Sequence, residues 1–363
     1  MQYLDDYRDS ARIRTLTDAI DRATTRAWNI MEICGGQTHT IARYRIEEIL
    51  PSAIRLLHGP GCPVCVTPVS TIDHAIAIAR RPNVIFASFG DMMRVPGSQT
   101  DLLRVKAQGA DVRLLYSPLD AVELAALHPN REVVFFAVGF ETTAPVHLMA
   151  LSEARRRALT NFSLLTSLFA VPPAIAMILD QPDNRIDGFL AAGHVCAVTG
   201  NAPCQRLSAK YHRPIIITGF EPVDILYGIY KCICQLEHHE SRVENAYKRA
   251  VPEAGNPAAQ QLMNDFLEPA TREWRGLGAI PSSGFRLREA FAEFDAAQKF
   301  PLRETAPHAA IDTRCIAGEI MKGNRQVVDC PCFDTICTPT HPLGASMVSA
   351  EGVCAARHNY NQQ

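Results

Sequence analysis

The chain has 363 residues, a formal charge of −2 and a pI near 6.6. It is too long for one small core and fits about two or three domains, and so balanced a charge gives no electrostatic case for nucleic acid or an anionic membrane surface. No apolar run reaches the roughly 18 residues needed to span a bilayer, and Met1 to Asp6 lack the basic then apolar start of a signal peptide, so a soluble cytoplasmic protein is expected. In that compartment thiols are kept reduced, and twelve cysteines therefore argue for metal binding or redox chemistry rather than a disulfide framework.

Short β-branched or aromatic runs bounded by Gly or Pro predict strands at Trp28 to Ile33, Ile54 to Leu57, Val84 to Phe89 and Val112 to Tyr116, with helical stretches between them. A second set follows at Val133 to Val138, Phe162 to Leu168, Gly188 to Ala192 and Pro214 to Thr218. Each member falls roughly a hundred residues after a counterpart, which reads as an internal duplication. The expected fold is α/β: two similar domains with parallel sheets flanked by helices, at 1–120 and 121–225, then a helical linker and a cysteine-rich part over 226–363. A helical stretch is expected from Asp224 to about Arg249, then a Pro/Gly-spaced region around Trp274, and a change of character near Thr313.

In parallel sheets functional groups gather at the carboxyl ends of the strands, and the polar motifs fall there. Cys34 ends the first predicted strand and precedes two glycines, where amides of the following helix start favour a thiolate. Cys62 and Cys65 form a CxxC in a Gly/Pro-rich turn after the second, suited to a short disulfide or a shared metal. No second ligand pair lies nearby, which favours redox use over a structural metal. Asp91 and Arg94 follow the third strand, where positioning a ligand or partner and simple helix capping read alike. His39 fits either proton delivery or a capping role. Glu141, Glu221 and His194, each just after a Gly or Gly-Phe, fit structural work at helix starts better than catalysis. No phosphate-binding glycine signature is present.

Cys196, Cys204, Cys232 and Cys234 sit in no constellation, and buried inert thiols account for them. The tail is different: Cys315, Cys330, Cys332, Cys337 and Cys354 lie in Gly/Pro-rich loops without paired histidines, which suits a four-thiolate zinc or an iron–sulfur cluster. The lack of short CxxC pairs there favours a cluster.

These motifs together resemble the HypD family of hydrogenase maturation factors. The likeness runs nearly end to end, through MEICGGQTHTI, HGPGCPVCV, FGDMMRVPGS, FFAVGFETTAP, GHV, TGFEPVDIL, EWRGLG and the closing cysteines. It implies a [4Fe–4S] cluster on Cys315, Cys330, Cys337 and Cys354. It also implies that Cys34, together with a small HypC-type chaperone, holds the iron that receives cyanide and carbon monoxide ligands. Cyanide arrives as a thiocyanate on a HypE-type donor, and its reductive release requires two electrons, which the Cys62/Cys65 dithiol can supply, with the cluster as a plausible relay for its re-reduction. Two departures stand out. Gln37 replaces a histidine that many relatives carry, and Ala317 stands where some place the first tail cysteine, leaving Cys315 or the extra thiol Cys332 to complete the ligand set. The resemblance describes an assembly factor rather than a turnover enzyme. A stand-alone iron–sulfur thiol oxidoreductase and a passive iron carrier are the alternatives.

Overall fold

A computed structural model describes residues 5–302 and 314–361, so Thr313 and the first four residues lie outside the described part. Eleven strands among these residues build two sheets: β1 Trp28–Glu32, β2 Ile54–His58, β3 Val84–Ser88, β4 Val112–Leu114, β5 Glu132–Gly139, β6 Phe162–Phe169, β7 Gly188–Ala192, β8 Ile215–Thr218, β9 Val243–Asn245, β10 Leu267–Trp274 and β11 Gly278–Leu287. The first sheet has the order β2-β1-β7-β8-β9 and is parallel throughout. The second has the order β10-β11-β6-β5-β3-β4, parallel except for the β10–β11 hairpin, which joins β6 antiparallel. Every residue of β3, β6 and β7 is buried, as expected of parallel strands covered by helices on both faces.

The halves expected at 1–120 and 121–225 do not correspond to these sheets. β1 and β2 pair with β7 rather than with β3, so the unit containing β3 to β6 is inserted between β2 and β7 of the other. The duplication is one of topology. Counting strands within each sheet, both begin 2-1-3-4, a doubly wound order, so the counterparts of β1, β2, β7 and β8 are β3, β4, β5 and β6. The stretch read as helical to about Arg249 stops earlier: the helix Pro222–Glu237 is followed by β9. Trp274 to Gly278 is the hairpin turn, with Gly276 and Gly278 at φ 80° and 84°, a left-handed conformation that glycine adopts without a Cβ clash. Trp274 is buried there, donating to Ser283 Oγ at 2.8 Å and packing edge-on against Phe169.

The tail lies across the carboxyl ends of both sheets. Ser349 Oγ donates to Asp91 Oδ2 at 2.7 Å, and the Arg94 guanidinium donates to the carbonyls of Pro339 and Val348 at 3.2 and 3.3 Å. On the other unit Arg357 pairs with Glu47, and His39 meets the Ala350 carbonyl and the Tyr360 hydroxyl at 3.3 and 3.1 Å. No helix among the described residues is long and apolar enough to cross a membrane.

Candidate functional site

In a doubly wound sheet the crevice opens where the strand order reverses, at the carboxyl ends of the first and third strands. In the first sheet these are β1 and β7, and Cys34 and His194 follow them directly. Cys34 is the N-cap of the helix Gly35–Arg43 and only 2% exposed. Its sulfur lies 3.6 Å from His194 Nδ1, and its N–H donates to Glu32 Oε2 at 2.8 Å. Burial pushes the Cys34 thiol far above its usual value. The amides of Gln37 and Gly36 act the other way, as the helix-start argument expects, but they do not offset burial and the nearby carboxylates Glu32 and Glu351. His194 is pushed down to about 4 by burial. At neutral pH the pair is a thiol beside a neutral imidazole. The sequence reading gave His194 a structural role, because nothing local shows that β7 lies against β1.

Glu32, at the end of β1, is fully buried and organises this corner. Besides the Cys34 N–H it accepts from the Thr38 hydroxyl, and the His58 ring lies 2.8 Å from Oε1. Gln37 is equally buried. Its amide donates to the Ala191 carbonyl at 3.2 Å, while its Oε1 has no hydrogen-bond partner. For His58, burial alone would lower the pKa, but hydrogen bonds to and charges from Glu32 and Glu47 outweigh it and raise the value to about 9. A group raised on folding stabilises the fold fully below its unfolded pKa, about 6.5, and that contribution disappears as pH rises through about 9. Urea unfolding from pH 6 to 10 is therefore expected to show falling stability above neutrality, with that slope flattened in His58→Gln. An unchanged slope would remove His58 as its source.

The CxxC turn is built against Cys34. Gly35 N–H donates to the Gly61 carbonyl at 2.9 Å, Gly59 N–H to the Glu32 carbonyl at 2.8 Å, and a Cβ on Gly61 would lie 2.3 Å from the Cys34 nitrogen. Cys62 and Cys65 are buried and joined as a disulfide across the one-turn helix Pro63–Val66, with their Cα atoms 5.2 Å apart. Cys65 Sγ lies 4.0 Å from the Ala345 carbonyl of the tail.

Of the other residues singled out in the sequence, Asp91, Arg94 and His39 contact the tail as described above. Glu221 caps its helix, in line with the structural reading. Glu141 is buried and accepts from Val171 N–H at 3.0 Å, and burial raises it to about 7.

Cys315, Cys330, Cys332, Cys337 and Cys354 all line one small cavity whose other walls, Ser346 apart, are glycine and apolar residues, among them Ile320, Phe333 and Met347. Burial, followed by the charges of Cys315, Cys337 and Cys330, pushes the Cys354 thiol well above its ordinary value, so these four sulfurs sense one another. Cys332 points its sulfur at the Arg314 carbonyl, 3.9 Å away. Among the described residues no three His, Cys, Asp or Glu side chains converge as they would on a single metal ion. A four-iron cluster is larger and takes one thiolate at each iron, a donor set that a cavity ringed by thiols can supply. Ala345, which Cys65 approaches, follows Gly344, and Gly344 lines the same cavity.

Fold and site define a doubly wound α/β protein with a buried cysteine at one switch point, a disulfide-linked CxxC turn packed onto it and a thiol-lined pocket in the tail. A family model named HypD, described as "Hydrogenase formation hypA family", matches residues 11–361. The chain is similar to the hydrogenase maturation factor HypD2 of Bradyrhizobium diazoefficiens, 43% identical over 372 residues that cover 100% of this chain and 97% of that protein. It is similar also to HypD of Escherichia coli K12, 43% identical with 100% and 99% coverage, and to HypD of Rhodobacter capsulatus, 44% identical with 99% and 98% coverage. The chain belongs to the HypD family of hydrogenase maturation factors.

Proposed function

We propose that this maturation factor assembles the iron centre of nickel–iron hydrogenase, holding the iron on Cys34 together with a HypC-type chaperone while cyanide and carbon monoxide ligands are added. The observation that carries this reading is the junction of Cys34, His194 and the Cys62–Cys65 turn in one buried corner. Low-spin ferrous iron with such ligands is soft and suits a thiolate. Binding requires Cys34 to lose its proton, and His194 Nδ1 is the acceptor nearest the sulfur. Cyanide then comes from a thiocyanate on a HypE-type donor. The S–CN bond breaks, cyanide goes to iron as the anion, and Cys62 and Cys65 give two electrons as they close to a disulfide; of their two protons one makes the donor cysteine a thiol and the other leaves to solvent. Cys315, Cys330, Cys337 and Cys354 would hold a [4Fe–4S] cluster, which when bound supplies one-electron transfer.

Anaerobic Mössbauer and infrared spectra of iron-57-labelled protein with HypC test the assembly site. Low-spin iron and diatomic stretching bands are expected in the wild type and not in Cys34→Ala, while cluster iron persists in both. Full activity on a small disulfide substrate without partners would instead favour a stand-alone oxidoreductase. Retained cyanide transfer in Cys62→Ser would leave the dithiol without its role.

The ligand set has its own test. Cys315→Ser is expected to abolish the cluster by iron and sulfide analysis and EPR, and Cys332→Ser to retain it, because the Cys332 sulfur is directed at the Arg314 carbonyl. The reverse outcome would exchange the two residues.

A further inference from the structure

Cys196 and Cys204, unassigned by the chemistry above, are brought together by the fold. Cys196 lies in the helix Gly193–Thr199, which starts at the end of β7, and Cys204 near the start of the next helix, Ala202–Tyr211. The connection reverses at Gly200, which has a φ of 73° and donates its N–H back to the Cys196 carbonyl at 2.8 Å. The two sulfurs face each other at 3.8 Å, and the residues are 2% and 7% exposed. They share one apolar cluster with Cys34. A pair of sulfurs so placed needs a small approach to reach a bond of about 2.05 Å.

We propose that Cys196 and Cys204 are a second dithiol, oxidised to a disulfide by low-molecular-weight disulfides such as oxidised glutathione. The thiolate of Cys204, the more accessible of the two, attacks one sulfur of the oxidant, and one small thiol leaves. The Cys196 thiolate then displaces the second small thiol from the mixed disulfide. Two protein thiols lose two electrons and two protons, and one small disulfide becomes two thiols. The reaction is slow at neutral pH, because the Cys204 hydrogen bond and burial hold the Cys196 thiol protonated, and it quickens as pH rises. Its consequence reaches the site: His194, which touches Cys34, is two residues before Cys196 on the same helix. Closing the pair draws on the helix that positions that imidazole.

The test uses the full chain, reduced anaerobically, equilibrated with oxidised glutathione, quenched in acid, alkylated and digested with trypsin. Both cysteines fall in the single peptide Ile186 to Arg206. The expected product is that peptide two hydrogens lighter and carrying no alkyl group, restored to the doubly alkylated form by dithiothreitol and not formed in Cys204→Ala. Oxidation of Cys62 and Cys65 in the same sample shows that the oxidant acted. If the peptide stays doubly alkylated, or carries glutathione on Cys204 with Cys196 free, there is no second dithiol.

Discussion

Glu32→Ala is expected to destabilise the protein by about 3–5 kcal/mol, the range for removing one member of a buried charged pair. The carboxylate is fully buried and serves the Cys34 N–H, the Thr38 hydroxyl and the His58 ring at once. Alanine leaves the buried Cys34 N–H without its acceptor, Thr38 with only the Cys34 carbonyl at 3.3 Å, and His58 with only Glu47, at 3.6 Å. Glu32→Gln preserves an acceptor oxygen and loses the charge, so about 1–2 kcal/mol is expected there, one to two hydrogen bonds' worth. Urea unfolding followed by fluorescence of the buried Trp28 and Trp274 reads both variants. Equal losses for Ala and Gln would mean that charge matters and hydrogen bonding does not. A loss below about 1 kcal/mol for Ala, the scale of an average substitution, would remove Glu32 as the organiser of the corner.

Gly61→Ala comes second, at about 3 kcal/mol, the upper part of the range for overpacking a close contact. The added carbon would meet the Cys34 nitrogen at 2.3 Å, the Cys34 Cα at 2.4 Å and the Ile33 carbonyl carbon at 2.7 Å. All three are backbone atoms, so no side chain can rotate away and the two loops must part. Faster alkylation of Cys62 and Cys65 in reduced protein is expected to accompany the lost stability. Gly109→Ala is the control. That glycine has a φ of 102° with no atom within 4 Å of its would-be Cβ, so its cost is conformational alone, about 1 kcal/mol. If both glycines cost the same, the close approach of the CxxC turn to Cys34 is not what holds the corner together.

How far the sequence carried depended on the range of each interaction. β3, β6 and β7 were legible because each is a continuous apolar run, the mark of a strand covered on both faces. β10 was missed because its interior alternates between half-buried and exposed residues and contains Pro269, so it reads as spacer. The CxxC and the density of cysteines in the tail stood out by residue type and spacing, whereas the role expected of Cys34 came from the family resemblance. Their surroundings were not legible. Glu32 and His58 meet only because β1 pairs with β2, and His194 reaches Cys34 only because β7, some 160 residues further on, lies on the other side of β1. A single sequence carries no signal for such pairings, and equal spacing of strands suggested consecutive halves where the chain makes an insertion. The acidity of Cys34 was misjudged for a related reason: a helix start can be read locally, whereas burial under Glu351 from the far end of the chain cannot.

That insertion also imposes a schedule on synthesis. β1 and β2 leave the ribosome early but have no third strand until β7 emerges, about 130 residues later. At about 5–20 residues per second this interval is on the order of ten seconds. The intervening β3 to β6 are contiguous in the chain and have all their parallel partners to hand. Throughout that time Cys34 lacks the histidine that follows β7. The nascent chain thus passes through a stage in which the Cys34, Cys62 and Cys65 thiols are open to any oxidant or stray metal, until the first sheet is complete and the tail packs over them.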